Sequence, residues 1–305
     1  MRIVFMGNPR FAVPSLEALH REFGIHLVVT GAEKPQGRGL RLRPSPVKEA
    51  ALRLGIPTWE PSSLRDPSFV EQFRALEADF LVVIAFRIVP PEVYGSVRHT
   101  AFCVHPSLLP KFRGAAPIQW TILQGEPITG VTSFVLEESV DTGAILLQRA
   151  VPVPAEVTFG ELHDLLMPLA AEVAVETLYG LLKGTVQPKP QDHTQATPAP
   201  KIRPEDCHIR WDRPAEEVRR WIHALSPEPG AWTWLEGHRL RLLRARTSPD
   251  TFAPPGTFRM SDGHFLVACA QGAVEVLELQ LAGRRPLRVA DFLRGWRGKR
   301  EGVLT

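Results

Sequence analysis

The sequence predicts an α/β protein with an N-terminal doubly wound, Rossmann-like sheet and a small C-terminal β-barrel of OB-like kind. Three observations carry this reading. Short apolar runs alternate with amphipathic helical stretches over the first 150 residues, the pattern of strands joined by crossover helices. One of these runs, Asp79-Phe-Leu-Val-Val-Ile-Ala85, is continuously apolar, as suits a central parallel strand covered on both faces. Beyond residue 230, short segments of alternating polarity are separated by glycine turns, the spacing of a small antiparallel barrel.

Taken in order, Ile3–Met6 reads as the first strand and residues 14–23 as a helix that Gly24 ends. Residues 25–30 form the second strand, and residues 46–54 a helix ended by Gly55. Asp66 before Pro67 starts another helix, since aspartate caps and proline is tolerated in the first turn. Residues 79–85, 101–104 and 131–136 supply further strands, and Pro117 opens a helix. Residues 159–182 carry apolar residues at helical spacing, with a kink expected at Pro168.

The composition then changes. Pro188, Pro190, Pro198, Pro200 and Pro204 stand among polar residues, which describes an extended linker. The expected organisation is therefore an α/β domain over 1–184, a linker over 185–205 and a basic barrel over 206–305. In the last part residues 214–225 form a helix, and residues 231–235, 239–244, 256–260, 264–269 and 273–280 form strands. Trp211, Trp221, Trp232 and Trp234 are expected in its core.

The chain has 305 residues, 44% hydrophobic and 23% charged, enough for two domains with buried cores. Three cysteines without paired spacing argue against a disulfide framework or a zinc site and for a reducing cytoplasm. No apolar run is expected to approach the length of a membrane span, and Met1-Arg-Ile-Val-Phe enters a strand without a signal peptide. A monomer with no membrane and no metal is expected. The net charge of +3 is uneven: residues 1–200 hold 18 Lys/Arg against 20 Asp/Glu, and residues 201–305 hold 18 against 13. The basic second part hints at a polyanionic partner. After the first strand comes Gly7-Asn-Pro, which lacks the glycine spacing of a dinucleotide site.

The most informative stretch runs from Cys103 to Trp120. His105 ends an apolar run and faces a proline-punctuated loop, the position where open α/β sheets keep their chemistry. Asp141 follows in a second strand-end loop, Glu137-Glu-Ser-Val-Asp141-Thr-Gly143, so an acid could orient the imidazole.

Several segments together resemble the methionyl-tRNA formyltransferases, within the wider group of enzymes that use 10-formyltetrahydrofolate. Met6-Gly-Asn-Pro-Arg-Phe-Ala12 is similar to the opening G-T-P-x-F-A. Lys34-Pro-Gln-Gly-Arg38-Gly with Pro44-Ser-Pro-Val-Lys48 resembles the basic loop P-x-G-R-G…P-S-P-V-K. His105-Pro-Ser-Leu-Leu-Pro110 and Arg113-Gly-Ala-Ala-Pro-Ile118 resemble the folate-site loop, and Asp141-Thr-Gly143 the catalytic aspartate segment. The likeness spans nearly the whole chain.

The resemblance implies transfer of the formyl group of 10-formyltetrahydrofolate, a co-substrate, to the α-amine of methionyl initiator tRNA for translation initiation. It implies that residues 1–184 are the catalytic domain, with His105, Asp141 and Cys103, at the family's asparagine position, as its catalytic residues. Folate contacts would come from Ser107, Leu108, Leu109 and Pro110, and from Phe86, Arg87 and Ile88 along the pterin. It also implies tRNA contacts from Lys34, Arg38, Arg41 and Arg43, with Arg38 reading the acceptor end. Arg239 and Arg241, with Arg244 and Arg246 along the same expected strand region, would dock the tRNA stem, with Arg284, Arg285 and Arg288 in a later turn.

Two positions depart from the family. Cys103 stands where the family has an asparagine that binds the formyl oxygen, and a thiol is a poorer donor. A packing role for Cys103 is an open alternative. Ala85-Phe-Arg-Ile-Val-Pro90 matches the pterin loop A-Y-G-x-I-L-P only with one residue fewer. Two other readings stay open: a formyltransferase acting on an amino-sugar nucleotide, and a catalytically degenerate folate- or tRNA-binding homologue.

Overall fold

A computed structural model describes residues 1–32, 34–36, 41–252 and 254–305; at residues 34–36, 41 and 42 only the backbone is described. The chain divides into two compact units. The first holds Met1–Ala115, Ile128–Val151 and His163–Ala199, and the second holds Ala116–Pro127, Pro152–Leu162 and Pro200–Thr305. The extended segment over 185–205 is thus shared between them.

The first unit contains strands β1 (Ile3–Gly7), β2 (Leu27–Val29), β3 (Lys34–Gln36), β4 (Arg41–Arg43), β5 (Thr58–Trp59), β6 (Phe80–Ile84), β7 (Thr100–His105), β8 (Ile128–Val135) and β9 (Ile145–Pro152). Seven of them form one sheet in the order β5-β2-β1-β6-β7-β8-β9. The first five are parallel and β8 is antiparallel to β7. β3 and β4 make a separate antiparallel hairpin. Every residue of β1 and β6 is buried, as a parallel strand covered on both faces requires.

Strand order reverses beside β1: the chain proceeds outward to β2 and β5, then returns to β6 and β7 on the other side. Gly7 pairs with Ile84, and Ile84 with Val104, so the carboxyl ends of β1, β6 and β7 finish level. Open α/β sheets bind their ligands at this edge.

The helices start where their caps dictate. In α1 (Val13–Phe23) the Gly24 N–H closes on the His20 carbonyl at 2.9 Å. In α2 (Pro46–Arg53) Ser45 Oγ accepts from Lys48 N at 3.0 Å, and in α3 (Pro67–Ala75) Asp66 Oδ1 accepts from Ser68 N at 2.9 Å. A short α4 spans Pro91–Tyr94 and α5 spans Pro117–Gln124.

The 25-residue α6 (Phe159–Lys183) corrects the expectation that nothing approaches a membrane span. By length and composition it could cross a bilayer, and half of its apolar window is buried in the protein. Leu166, Ala170, Val173, Ala174 and Leu178 make one buried stripe, while Asp164 and Glu172 stay exposed. Such a stripe is the pattern of a helix packed on a core.

The second unit adds α7 (Ala215–Ala224), strands β10 (Ala231–Leu235), β11 (His238–Ser248), β12 (Thr257–Ser261), β13 (His264–Ala268), β14 (Ala273–Leu281), β15 (Leu287–Arg288), helix α8 (Val289–Gly295) and β16 (Glu301–Val303). Its antiparallel sheet runs β10-β11-β14-β13-β12-β16, with β15 added beside β14. The sheet rolls back on itself, since Trp234 of β10 and Thr305 beyond β16 exchange N–H···O bonds of 2.7 and 3.3 Å. Leu240, Leu242, Phe258, Phe265 and Val276 fill the interior, and Trp211 joins them. Trp221 and Trp232 pack against this core, whereas Trp234 is 40% exposed.

Candidate active site

Alternation along β7 puts Phe102 and Val104 on one face and Cys103 and His105 on the other. His105 is the last residue of the strand and is buried. Its Nε2 lies 2.9 Å from the carbonyl oxygen of Phe112. A carbonyl only accepts, so Nε2 carries the proton of the neutral ring and Nδ1 is left with its lone pair. Nδ1 stands 3.7 Å from Oδ2 of Asp141, beyond hydrogen-bond range but close enough for strong charge interaction. A proton arriving on Nδ1 therefore forms an imidazolium facing a carboxylate.

The loop after β7 holds this geometry through buried hydroxyls. Ser107 Oγ donates to Lys111 O at 2.7 Å, and Thr132 Oγ1 donates to Ser107 O at 2.6 Å while accepting from Leu109 N at 3.1 Å. Gln148 Nε2 donates to Leu109 O at 2.8 Å. The Leu109–Pro110 peptide is cis. Phe112 then adopts φ 62°, turning its carbonyl to the imidazole, and Gly114, at φ 124°, sends its N–H to Asp141 Oδ2 at 2.8 Å.

Asp141 itself has φ 57°. Its turn is fixed by Gly143, where a Cβ would fall 1.8 Å from Val135 O, a separation that only glycine permits.

Cys103 is half-buried and packs against the core cluster that includes Val83 and Leu81. Burial, and after it the Asp141 charge, push its thiol well above the usual range. It is held as a neutral thiol, so it is neither a thiolate nucleophile nor a strong donor.

Ser107 and Leu109 are buried and present no side chain outward, whereas Leu108 and Pro110 are half-buried. At the neighbouring strand end Ala85 has φ 49° and Ile88 is 69% exposed. The Arg87 guanidinium donates to the carbonyls of Pro61 and Ser62 at 2.9 and 3.0 Å and lies over the Phe86 ring. Arg87 thus braces the loop. Among the described residues, the N–H groups of Phe86, Arg87, Ile88 and Val89 have no protein acceptor. They leave a run of free donors at the rim of the sheet.

Of the expected RNA contacts, Arg38 lies outside the described residues. Lys34 pairs with Arg43, and Gln36 with Arg41, across the β3–β4 hairpin, and Arg43 is exposed. In the barrel the register shift between Leu242 and Ala245 falls where the arginine spacing is three, and Leu240, Leu242 and Ala245 are buried while Arg239, Arg241, Arg244 and Arg246 stay off the buried face. Arg241 meets Glu228 at 3.3 Å, Arg244 meets Glu161, and Arg246 meets Glu275 at 2.7 Å. Arg239 stacks 4.4 Å over Trp232. Arg284, Arg285 and Arg288 are exposed, with no carboxylate partner among the described residues. No group of three His, Cys, Asp or Glu among the described residues is placed to hold a metal.

Sequence reasoning did not single out Gln191, which bridges Arg113 to the Asp141 turn, or Thr197, whose Oγ1 accepts from Phe112 N at 2.9 Å. Both lie in the polar, proline-rich segment, where no local periodicity marks them.

Comparison with known proteins bears on the family and the fold. Residues 1–178 match the formyl transferase family and residues 201–297 match the formyl transferase C-terminal domain. A methionyl-tRNA formyltransferase of Chlorobium phaeovibrioides is 40% identical over 312 residues, covering 100% of this chain and 98% of its own. That of Acidobacterium capsulatum is 42% identical over 300 residues, covering 97% and 96%. Among solved structures, the N-formyltransferase of Helicobacter canadensis with folinic acid and dTDP-3-aminofucose aligns with a TM-score of 0.68 at 17% identity, covering 90% of this chain and 97% of its own. HypX of Aquifex aeolicus with tetrahydrofolic acid aligns with a TM-score of 0.63 at 20% identity, over 100% of this chain and 50% of its own. At those identities the two structures share the fold.

Proposed function

From a chain that belongs to the formyl transferase family, and within it to the methionyl-tRNA formyltransferases, we infer an active site built on His105 and Asp141. The protein transfers the formyl group of 10-formyltetrahydrofolate to the α-amine of methionyl initiator tRNA. The observation that carries the assignment of residues is the His105 ring, locked through Nε2 to Phe112 O with Nδ1 facing Asp141.

The chemistry of the donor set fits the folate. A pterin edge carries ring nitrogens and a carbonyl that need donors, and the free N–H groups from Phe86 to Val89 supply them. When bound, 10-formyltetrahydrofolate supplies the formyl carbon and a nitrogen leaving group. His105 Nδ1 accepts a proton, Asp141 stabilises the cation, and the same N–H then serves as donor and acid. The α-amine titrates near pH ~8, so the attacking nitrogen loses its proton readily to such a base. A positioned acid–base group of this kind is worth roughly 10²–10⁴-fold in rate. Cys103, as a neutral thiol, contributes a weak contact at best to charge developing on the formyl oxygen.

On the RNA side, Arg38 and its neighbours Lys34, Arg41 and Arg43 serve the acceptor end. Arg239, Arg284, Arg285 and Arg288 offer the barrel's unneutralised charge to a stem, with Arg241 in a lesser role beside Glu228. The reading places the enzyme in the cytoplasm as a monomer, in keeping with three free cysteines.

The test is substrate choice. Purified protein with 10-formyltetrahydrofolate is offered methionyl initiator tRNA and, separately, a dTDP-amino sugar. Formylation of the tRNA alone is expected. Formylation of the sugar alone, or tRNA binding without turnover, overturns the reading.

A further inference from the structure

Gln191 lies in the extended segment after α6 and is only 6% exposed. Its Nε2 donates to Asp141 O at 2.9 Å and to Gly143 O at 2.8 Å. Its Oε1 accepts from Arg113 Nη2 at 2.6 Å and from Arg113 Nε at 3.2 Å. The orientation of the amide follows from its partners, because carbonyls only accept and a guanidinium only donates. Both N–H bonds and both lone pairs of the amide are therefore satisfied.

The two ends of this contact are the two loops of the active site. Arg113 sits between Phe112, whose carbonyl holds His105 Nε2, and Gly114, whose N–H holds Asp141 Oδ2. On the other side, Asp141 keeps a left-handed backbone, uncommon for a residue with a side chain. Gln191 clasps the carbonyls that flank that turn. Arg113 Nη2 also donates to His193 Nδ1 at 3.0 Å, and Arg113 exchanges backbone bonds with Thr197 and Ala199, so the same segment is tied to the loop along its length.

We propose that Gln191 is a positioning residue for formyl transfer: its amide fixes the distance between the His105 ring and the Asp141 carboxylate by joining their two loops. This rests on the reading of His105 and Asp141 as the reacting pair. Side chains two steps from the chemistry matter because a misplacement near 1 Å can cost ~10²-fold in rate.

Two substitutions test it. Gln191→Met fills the same space with neither donor nor acceptor. Gln191→Glu keeps the acceptor for Arg113 and removes both donors to the Asp141 turn. Both are expected to lower kcat by about 10²-fold while leaving KM for tRNA and for formyl-folate within about three-fold. The thermal melting midpoint reports whether each variant is folded. Gln191→Glu, which changes a single atom, decides the matter should Gln191→Met fail to fold. Wild-type kcat in Gln191→Glu overturns the proposal, as does a loss confined to KM. Asp141→Asn run alongside separates the two levels. If Asp141→Asn is inactive while the Gln191 variants work, only the positioning role fails; if Asp141→Asn is fully active, the reacting pair itself is wrong.

Discussion

Replacing Gly143 with alanine perturbs the proposed active site without touching His105 or Asp141. The added Cβ would lie 1.8 Å from Val135 O and 2.9 Å from Val135 C, where real Cβ contacts stay above 3.0 Å. The turn and the strand must therefore part by at least 1.2 Å, the difference between those two limits. Val135 resists the move, since it pairs with Phe102 in β7 and its N–H is bonded to Ala144 O at 2.9 Å. The displacement falls on the Asp141–Gly143 turn, taking the carboxylate away from His105. A shift of that size is expected to lower kcat by about 10²-fold, and the forced overpacking to cost about 1–3 kcal/mol of stability. Initial rates of methionyl-tRNA formylation at saturating folate measure the first, and thermal melting the second. A folded Gly143→Ala enzyme with wild-type kcat would show that the Asp141 turn does not need this geometry.

Cys103→Asn places an amide where the thiol now sits and is expected to raise kcat, by up to ~10²-fold if the formyl oxygen lacks another donor; an unchanged or lower rate in steady-state assays would make Cys103 a packing residue. Replacing Arg284, Arg285 and Arg288 together with alanine is expected to weaken tRNA binding and to reduce the slope of log K against log salt by up to ~3, read from titrations at several salt concentrations; an unchanged slope removes these arginines from the docking surface. His223 is fully buried, and burial, followed by the Arg219 charge, holds its pKa below the usual 6.5. Its neutral form is the folded one, so its stabilising contribution is present above pH 6.5 and is lost as pH falls, when the unfolded chain takes up the proton first. Melting midpoints measured from pH 7 downward should fall more steeply in the wild type than in His223→Gln, and parallel curves would refute it.

How far the sequence reveals this molecule depends on the range of the forces involved. The buried run through Phe80–Ile84, the Asp66 cap and the Gly24 stop are local signals, and the strands and helices that they mark stand in the structure. That His105 and Asp141 face each other from two strand-end loops was legible because such loops have a characteristic place in these sheets and because the motif resemblance named the two residues. Among the elements not anticipated, β9, α8 and β16 carry weaker patterns: β9 alternates irregularly and β16 has three residues. The register shift in β11, which keeps Arg244 and Arg246 off the buried face, belongs to the pairing with β14 and is marked in the sequence only by the step of three from Arg241 to Arg244. Gln191 and Thr197 act on residues 48 to 85 positions away. Their role exists only once the chain has folded back.

The central claim is that His105 and Asp141 carry the transfer. Single-turnover formylation of methionyl initiator tRNA by wild type, His105→Ala and Asp141→Asn tests it most directly, with tRNA affinity measured in parallel. The expected result is a rate loss of roughly 10²–10⁴-fold in each variant with tRNA binding unchanged. A wild-type rate in either one would contradict the account.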